Sequence, residues 1–265
     1  MRNVKPDWLS FTSVPIALVF SETETCLGKA TGFFYEHNNK NYFITNWHNV
    51  TGIHPITRKP ISTHGGSPDC IDMLLMTGIT PAKWENYRIP IYTENKETGW
   101  LVHPIYKEKV DVVALEITFP KGFDGIVNPI NKIPFRNDRL DVSDDVFIIG
   151  FPLNLLGGGA FPIWKRGSVA TEPDMNFEDL PKFIVDTATR NGMSGSPVVM
   201  RKKGVHIYES SDDKVTIGLS QNFVGIYSGR LQSESETDAQ LGIVWKTEVI
   251  EEIINGNLKC SFNIY

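Results

Sequence analysis

Short runs of β-branched and aromatic residues, separated by glycine, proline and asparagine, restrict the folds open to this chain more than any other feature. IALVF (Ile16 to Phe20), TGFFYE (Thr31 to Glu36) and NYFITN (Asn41 to Asn46) have strand composition. The last two flank the polar HNNK and read as a hairpin. Further strands are predicted at DVVALEI (Asp111 to Ile117), DVFIIGF (Asp145 to Phe151), FIVDTA (Phe183 to Ala188), SPVVM (Ser196 to Met200), FVGIYS (Phe223 to Ser228) and LGIVW (Leu241 to Trp245). Many short strands with this punctuation predict an all-β sandwich or barrel. One helix is predicted, at the C-terminal end. In WKTEVIEEIING, residues Trp245, Val249, Ile250, Ile253 and Ile254 share one helical face, and Asn255-Gly256 supplies a stop. Glu209 to Lys214 and Leu231 to Gln240 are polar and read as surface loops. The stretch from His54 to Trp100 carries no clear pattern.

At 265 residues the chain can bury a core without disulfide staples, as one large β domain or as two small lobes. Lys and Arg number 26 against 31 Asp and Glu, a net charge of -5, so no global field attracts nucleic acid. The three cysteines, Cys26, Cys70 and Cys260, are widely spaced and form no CxxC pair, which argues against structural zinc and for a reducing compartment. The apolar run from Val14 to Phe20 includes a proline and lacks a small-residue cleavage site. No run approaches the roughly 20 apolar residues of a membrane span. The expectation is a soluble cytoplasmic protein with neither a membrane nor a nucleic-acid partner.

Three segments carry the chemistry. GMSGSPVV places Ser194 in a turn between Gly192 and Gly195. A nucleophilic serine needs a turn that exposes its oxygen and aims backbone N–H groups at a developing oxyanion, and Gly192 and Ser194 can supply them. YFITNWHNV places His48 just past an apolar strand, where a general base is held rigidly. KVDVVALEI opens on Asp111, placed to become a buried, ionised acid that fixes the imidazole tautomer. Each segment alone has an ordinary structural explanation: a glycine-rich turn, a satisfied histidine, a solvated strand start.

Taken in order, these segments resemble the trypsin/chymotrypsin clan of serine proteases, above all its bacterial HtrA-type and glutamyl-endopeptidase-like branches. TGFFYEHNNKNYFITNWHNV is similar to the segment that ends in the catalytic histidine, VDVVALEI to the one that opens with the aspartate, and GMSGSP to the nucleophile loop. DDVFIIGFP, FVGIYSG and GIVW resemble later family strands, so the likeness runs from about Lys29 to Ile254. It implies two six-stranded antiparallel β-barrels, an N-terminal one over about 14–130 and a C-terminal one over 131–244, with a helix at 245–256. It also implies peptide hydrolysis by His48, Asp111 and Ser194 through an acyl-enzyme, with no metal or cofactor. Met193 replaces the aspartate that pairs with a freed N-terminus in digestive members, so activation by N-terminal cleavage is not implied. Asp72 in CIDMLLM is a rival acid, and no PDZ-like segment follows.

The resemblance further places the pocket for the residue before the scissile bond between Ala188, Thr189 and Arg190 on one wall and Tyr227, Ser228, Gly229 and Arg230 on the other, with Gly242 on the closing strand. Ala188 stands where cleavage after Lys or Arg needs an aspartate. Thr189 resembles the hydroxyl residue of glutamyl endopeptidases, but Tyr227 stands where they use a histidine. Uncharged side chains are therefore the expected substrates. A catalytically silent binding module, or a protease switched on by a protein partner, is the alternative reading.

Overall fold

The computed structural model describes residues 5–62, 66–79, 82–95, 97–136, 138–207, 215–231 and 240–260. The first half carries strands β1 (Ser13–Phe20), β2 (Thr25–His37), β3 (Lys40–Thr45), β4 (Cys70–Ile79), β5 (Ala82–Pro90), β6 (Trp100–Val102) and β7 (Val113–Ile117), with a short helix α1 (Trp47–Thr51) after β3. The second half carries β8 (Asp145–Gly150), β9 (Ile163–Val169), β10 (Lys182–Asp186), β11 (Pro197–Ile207), β12 (Val215–Arg230) and β13 (Leu241–Lys246). Helix α2 (Glu248–Gly256) and a two-residue strand β14 (Leu258–Lys259) follow.

Strands β8 to β13 close into a six-stranded antiparallel barrel in the order β10-β13-β12-β11-β8-β9, as expected. The N-terminal half differs from the expected six strands. It is an eight-stranded sheet, β14-β6-β7-β3-β2-β1-β4-β5, because the β4–β5 hairpin lengthens one end and β14 returns from beyond the helix to pair with β6 at the other. The β2–β3 hairpin turns on Asn38 and Asn39, both at positive φ, which matches the right-handed twist of the flanking strands.

Neighbouring residues on one strand feed different cores, since side chains alternate between the faces of a sheet. Phe34 and Phe43 enter the N-terminal core with Ile16, Trp47 and Trp100. Ile148 and Val198 fill the C-terminal barrel with Val185 and Met193. Their neighbours Phe33, Ile44, Ile149 and Val199 point instead into a third cluster with Val249, Ile250, Ile253 and Ile254 of α2. Burial on both faces explains why these strands read as continuous apolar runs.

The helix starts later than the periodicity predicts. Trp245 belongs to β13, paired with Lys182 on one side and Ile226 on the other. Its ring enters the same cluster as the helix, so one residue satisfies strand and helix spacing at once. Of the two expected polar loops, 209–214 lies outside the described residues, as does 232–239 between Leu231 and Gln240.

Candidate active site

The N-terminal lobe holds His48 and Asp111. Strand β3 ends at Thr45, and α1 begins one residue before His48, so the imidazole is carried by a rigid first turn that Gly52 closes at φ 71°. Asp111, 2% exposed, sits two residues ahead of β7. Its Oδ2 lies 2.7 Å from His48 Nδ1, and its Oδ1 accepts the His48 backbone N–H at 2.9 Å. Asn46 Nδ2 donates to the Asp111 carbonyl at 2.7 Å. The carboxylate therefore holds both the ring and the backbone of His48. Nearby His54 is held below the ordinary imidazole range, first by burial and then by the charge of His48.

The rival acid is elsewhere. Asp72 on β4 pairs across the strands with Arg88 on β5, Oδ1 to Nε at 2.6 Å, and the guanidinium pulls its carboxyl below the usual range.

The C-terminal barrel supplies the serine turn, between β10 and β11. Gly192 has φ 95° and Gly195 φ 83°. Side chains are excluded at both: a Cβ at 192 would lie 2.3 Å from the Phe151 carbonyl oxygen, and one at 195 would lie 2.1 Å from that of Thr31. Within the turn, the N–H groups of Met193, Gly195 and Ser196 donate to the carbonyls of Arg190, Tyr227 and Met193. Among the described hydrogen bonds, the N–H groups of Gly192 and Ser194 have no intrachain acceptor. The carbonyl of Asn191 accepts from Leu153 N–H at 2.7 Å. A trans peptide points its N–H opposite to its carbonyl, so this bond also fixes the direction of Gly192 N–H. Met193 is fully buried in the barrel core and forms no ion pair.

Two residues tie the halves together that sequence reasoning had not assigned these roles. Thr31 on β2 donates its Oγ1 to the Gly192 carbonyl at 2.8 Å, and the same oxygen accepts Phe151 N–H at 3.3 Å. Its own N–H donates to the Ser194 carbonyl at 2.9 Å. Ser228, expected as a pocket wall, donates its Oγ to Asp111 Oδ2. A register shift in the β12–β13 ladder between Tyr227 and Gly229 turns Ser228 toward the acid. The Ser228 carbonyl accepts the Ser194 hydroxyl at 3.3 Å, so Ser194 Oγ points at that carbonyl and makes no described hydrogen bond to His48.

The remaining expected pocket residues group on the segment after β10 and at the ends of β12 and β13. Ala188 is half-buried, Thr189 is buried and Arg190 is exposed, its Nη1 donating to the Thr189 carbonyl at 3.0 Å. Tyr227 is buried, its hydroxyl bonded to that of Thr189, and burial pushes its phenol up to about 12. Gly229 is half-buried and Arg230 exposed, while Gly242 is buried opposite Arg230 and Val185.

Two packed β lobes, one giving a carboxylate-bound histidine and the other a serine on a glycine turn, define the trypsin-like class of peptidase. The chain belongs to that family: residues 30–206, well over half its length, match the trypsin-like peptidase domain. Among solved structures it is similar to the active form of the Rv3671c protease from M. tuberculosis, with 15% identity and a TM-score of 0.50, covering 97% of this chain and 85% of that one. The inactive form of that protease matches with 14% identity and a TM-score of 0.47, covering 93% of this chain and 89% of that one. At 15% identity the likeness to the active form shows the fold alone. No curated protein matches significantly.

Proposed function

We propose that the protein is a serine endopeptidase working through Ser194, His48 and Asp111. Ser194 Oγ attacks the peptide carbonyl carbon as His48 Nε2 takes its proton, and the carbonyl electron pair moves onto oxygen. Gly192 and Ser194 N–H groups receive that oxyanion. Collapse expels the amine, which takes the proton from His48, and leaves an ester on Ser194. Water then attacks the ester, with His48 again as base, releasing the acid and restoring the serine. Asp111 holds the Nδ1–H tautomer and stabilises the imidazolium. The observation that carries this reading is the pair of N–H groups without acceptors at the serine turn, beside a histidine held at 2.7 Å by a buried carboxylate.

The bond from Ser194 Oγ to the Ser228 carbonyl supports a second state, in which the nucleophile rests turned away from the base. Rotation about χ1 is the side chain's means of leaving that carbonyl. Substrate or a protein partner is then the trigger, since catalytic hydrogen bonds tighten on complex formation. A fluorophosphonate probe tests both readings. Labelling of the wild type that is lost in Ser194→Ala and strongly reduced in His48→Ala supports the peptidase. A folded wild type that stays unlabelled with peptide ligands present overturns it in favour of a binding module.

A further inference from the structure

The resemblance to trypsin-like peptidases places the side chain that precedes the scissile bond between the 188–190 segment and the 228–230 edge of β12. In this chain that space has a floor. Tyr227 is 1% exposed, and so is Thr189. A Cβ on Gly242 would lie 2.6 Å from Tyr227 Cε2 and 3.3 Å from its hydroxyl oxygen, so the ring lies directly on the backbone of β13. Its far end is bonded to Thr189 Oγ1 on the opposite wall. The methyl of Thr187 would meet the same Gly242 Cβ at 3.2 Å, and Thr187 Oγ1 is itself tied to the Arg166 carbonyl at 3.1 Å. The ring thus spans from the closing strand to the facing segment and packs in the barrel core with Val185, Met193 and Val244.

We infer that Tyr227 plugs the specificity pocket and sets its depth, so that glycine, alanine or serine is accepted before the scissile bond and large side chains are refused. This rests on the serine-endopeptidase reading above. The ring, not the hydroxyl, is the excluding element, because it occupies the volume. The pocket walls cannot retreat: Gly242 is held in the ladder by Val185 and Arg230, and buried cores move little to admit added volume.

The test uses the full chain and peptidyl diphenyl phosphonates whose side chain at the reacting position mimics alanine or phenylalanine. Phosphorus gains Ser194 Oγ and loses one phenoxide, read by intact mass. The wild type is expected to react faster with the alanine analogue by on the order of 100-fold, a ratio that needs no variant. Tyr227→Phe keeps the ring and should keep the ratio. Tyr227→Val removes the ring and should raise the rate with the phenylalanine analogue by a similar factor. Equal wild-type rates with both analogues, or an unchanged ratio in a labelled Tyr227→Val, overturn the plug. If neither analogue labels any variant, the peptidase reading fails, and the plug is judged separately by soaking toluene into crystals of Tyr227→Val and of the wild type. Toluene in the vacated space in the variant alone supports it, and an unoccupied site in both overturns it.

Discussion

Thr31→Val removes one buried hydroxyl and keeps the side-chain shape. In the folded protein that oxygen donates to the Gly192 carbonyl at 2.8 Å and accepts Phe151 N–H at 3.3 Å. Thr31 is fully buried, Phe151 is 2% exposed and Gly192 is buried, so water cannot replace either bond. Leaving a buried backbone group unpaired costs about 1–3 kcal/mol, so two give about 2–4 kcal/mol of stability once the longer bond is discounted. The catalytic effect has a separate origin. Gly192 has no Cβ and sits at positive φ, and losing the anchor on its carbonyl loosens the turn that aims Gly192 and Ser194 N–H. One misplaced oxyanion donor costs about 10²–10³ in kcat, and a loosened one should cost about 10–100-fold with KM little changed. Urea unfolding and steady-state peptide hydrolysis measure the two quantities. Thr31→Ser restores the oxygen and should recover most of both. A Thr31→Val protein with wild-type kcat would refute the clamp, as would a Thr31→Ser protein no better than the valine variant, since packing of the methyl would then be what matters.

Other outcomes follow from the same geometry. Asp111→Asn keeps the shape but loses the charge that fixes His48, and kcat should fall by about 10³–10⁴; a loss below tenfold would leave Asp111 outside the mechanism. Burial raises the phenol of Tyr227 to about 12 and drives those of Tyr35 and Tyr92 still higher, with the Glu251 carboxylate adding to the rise at Tyr35. Above pH 10 the unfolded chain releases these protons while the folded one keeps them, so stability should be full below pH 10 and fall above it. Tyr227 accounts for about 2 kcal/mol of that loss by pH 12. Urea midpoints from pH 8 to pH 11.5 check this, and Tyr227→Phe should flatten the decline; a flat wild-type curve would contradict it. Cys26, Cys70 and Cys260 carry thiols rather than disulfides. Cys26 and Cys70 flank Val19 on opposite neighbouring strands, two strand spacings apart and beyond bridging distance. Thiol titration of denatured, unreduced protein should count three, and a count of one would show a bridge.

His48 and Ser194 were legible because their requirements are local. A strand running into a short turn, and two glycines around a serine, leave a record within eight residues. Asp111 was legible for a related reason, lying at the mouth of an apolar strand. Thr31 left no such record: its partners Phe151 and Gly192 lie 120 and 161 residues away, and a threonine in a strand is unremarkable. The hydroxyl of Ser228 reaches Asp111 across 117 residues and through a register shift that no pattern announces. Strand β5 was invisible because Lys83, Glu85, Asn86 and Arg88 give it no apolar alternation, its stability coming from the ladder with β4. That same ladder sets Arg88 opposite Asp72 and removes the rival acid from consideration.

Neither lobe holds its half of the site alone. The serine turn belongs to the C-terminal barrel, yet its Gly192 and Ser194 carbonyls are bound by Thr31 of the N-terminal sheet. The His48–Asp111 pair belongs to the N-terminal lobe, yet Ser228 of β12 donates to the acid. These crossing bonds persist because a shared apolar layer, Phe33 and Ile44 against Ile149, Val199 and Phe223, presses the two sheets together behind them, with Val249 and Ile253 of α2 sealing its edge. Among the described hydrogen bonds, those of the α2 side chains go to Tyr35, His37 and His103 and none to His48, Asp111 or Ser194. The apolar face of α2 instead joins the layer between the sheets, on which the crossing bonds of Thr31 and Ser228 depend.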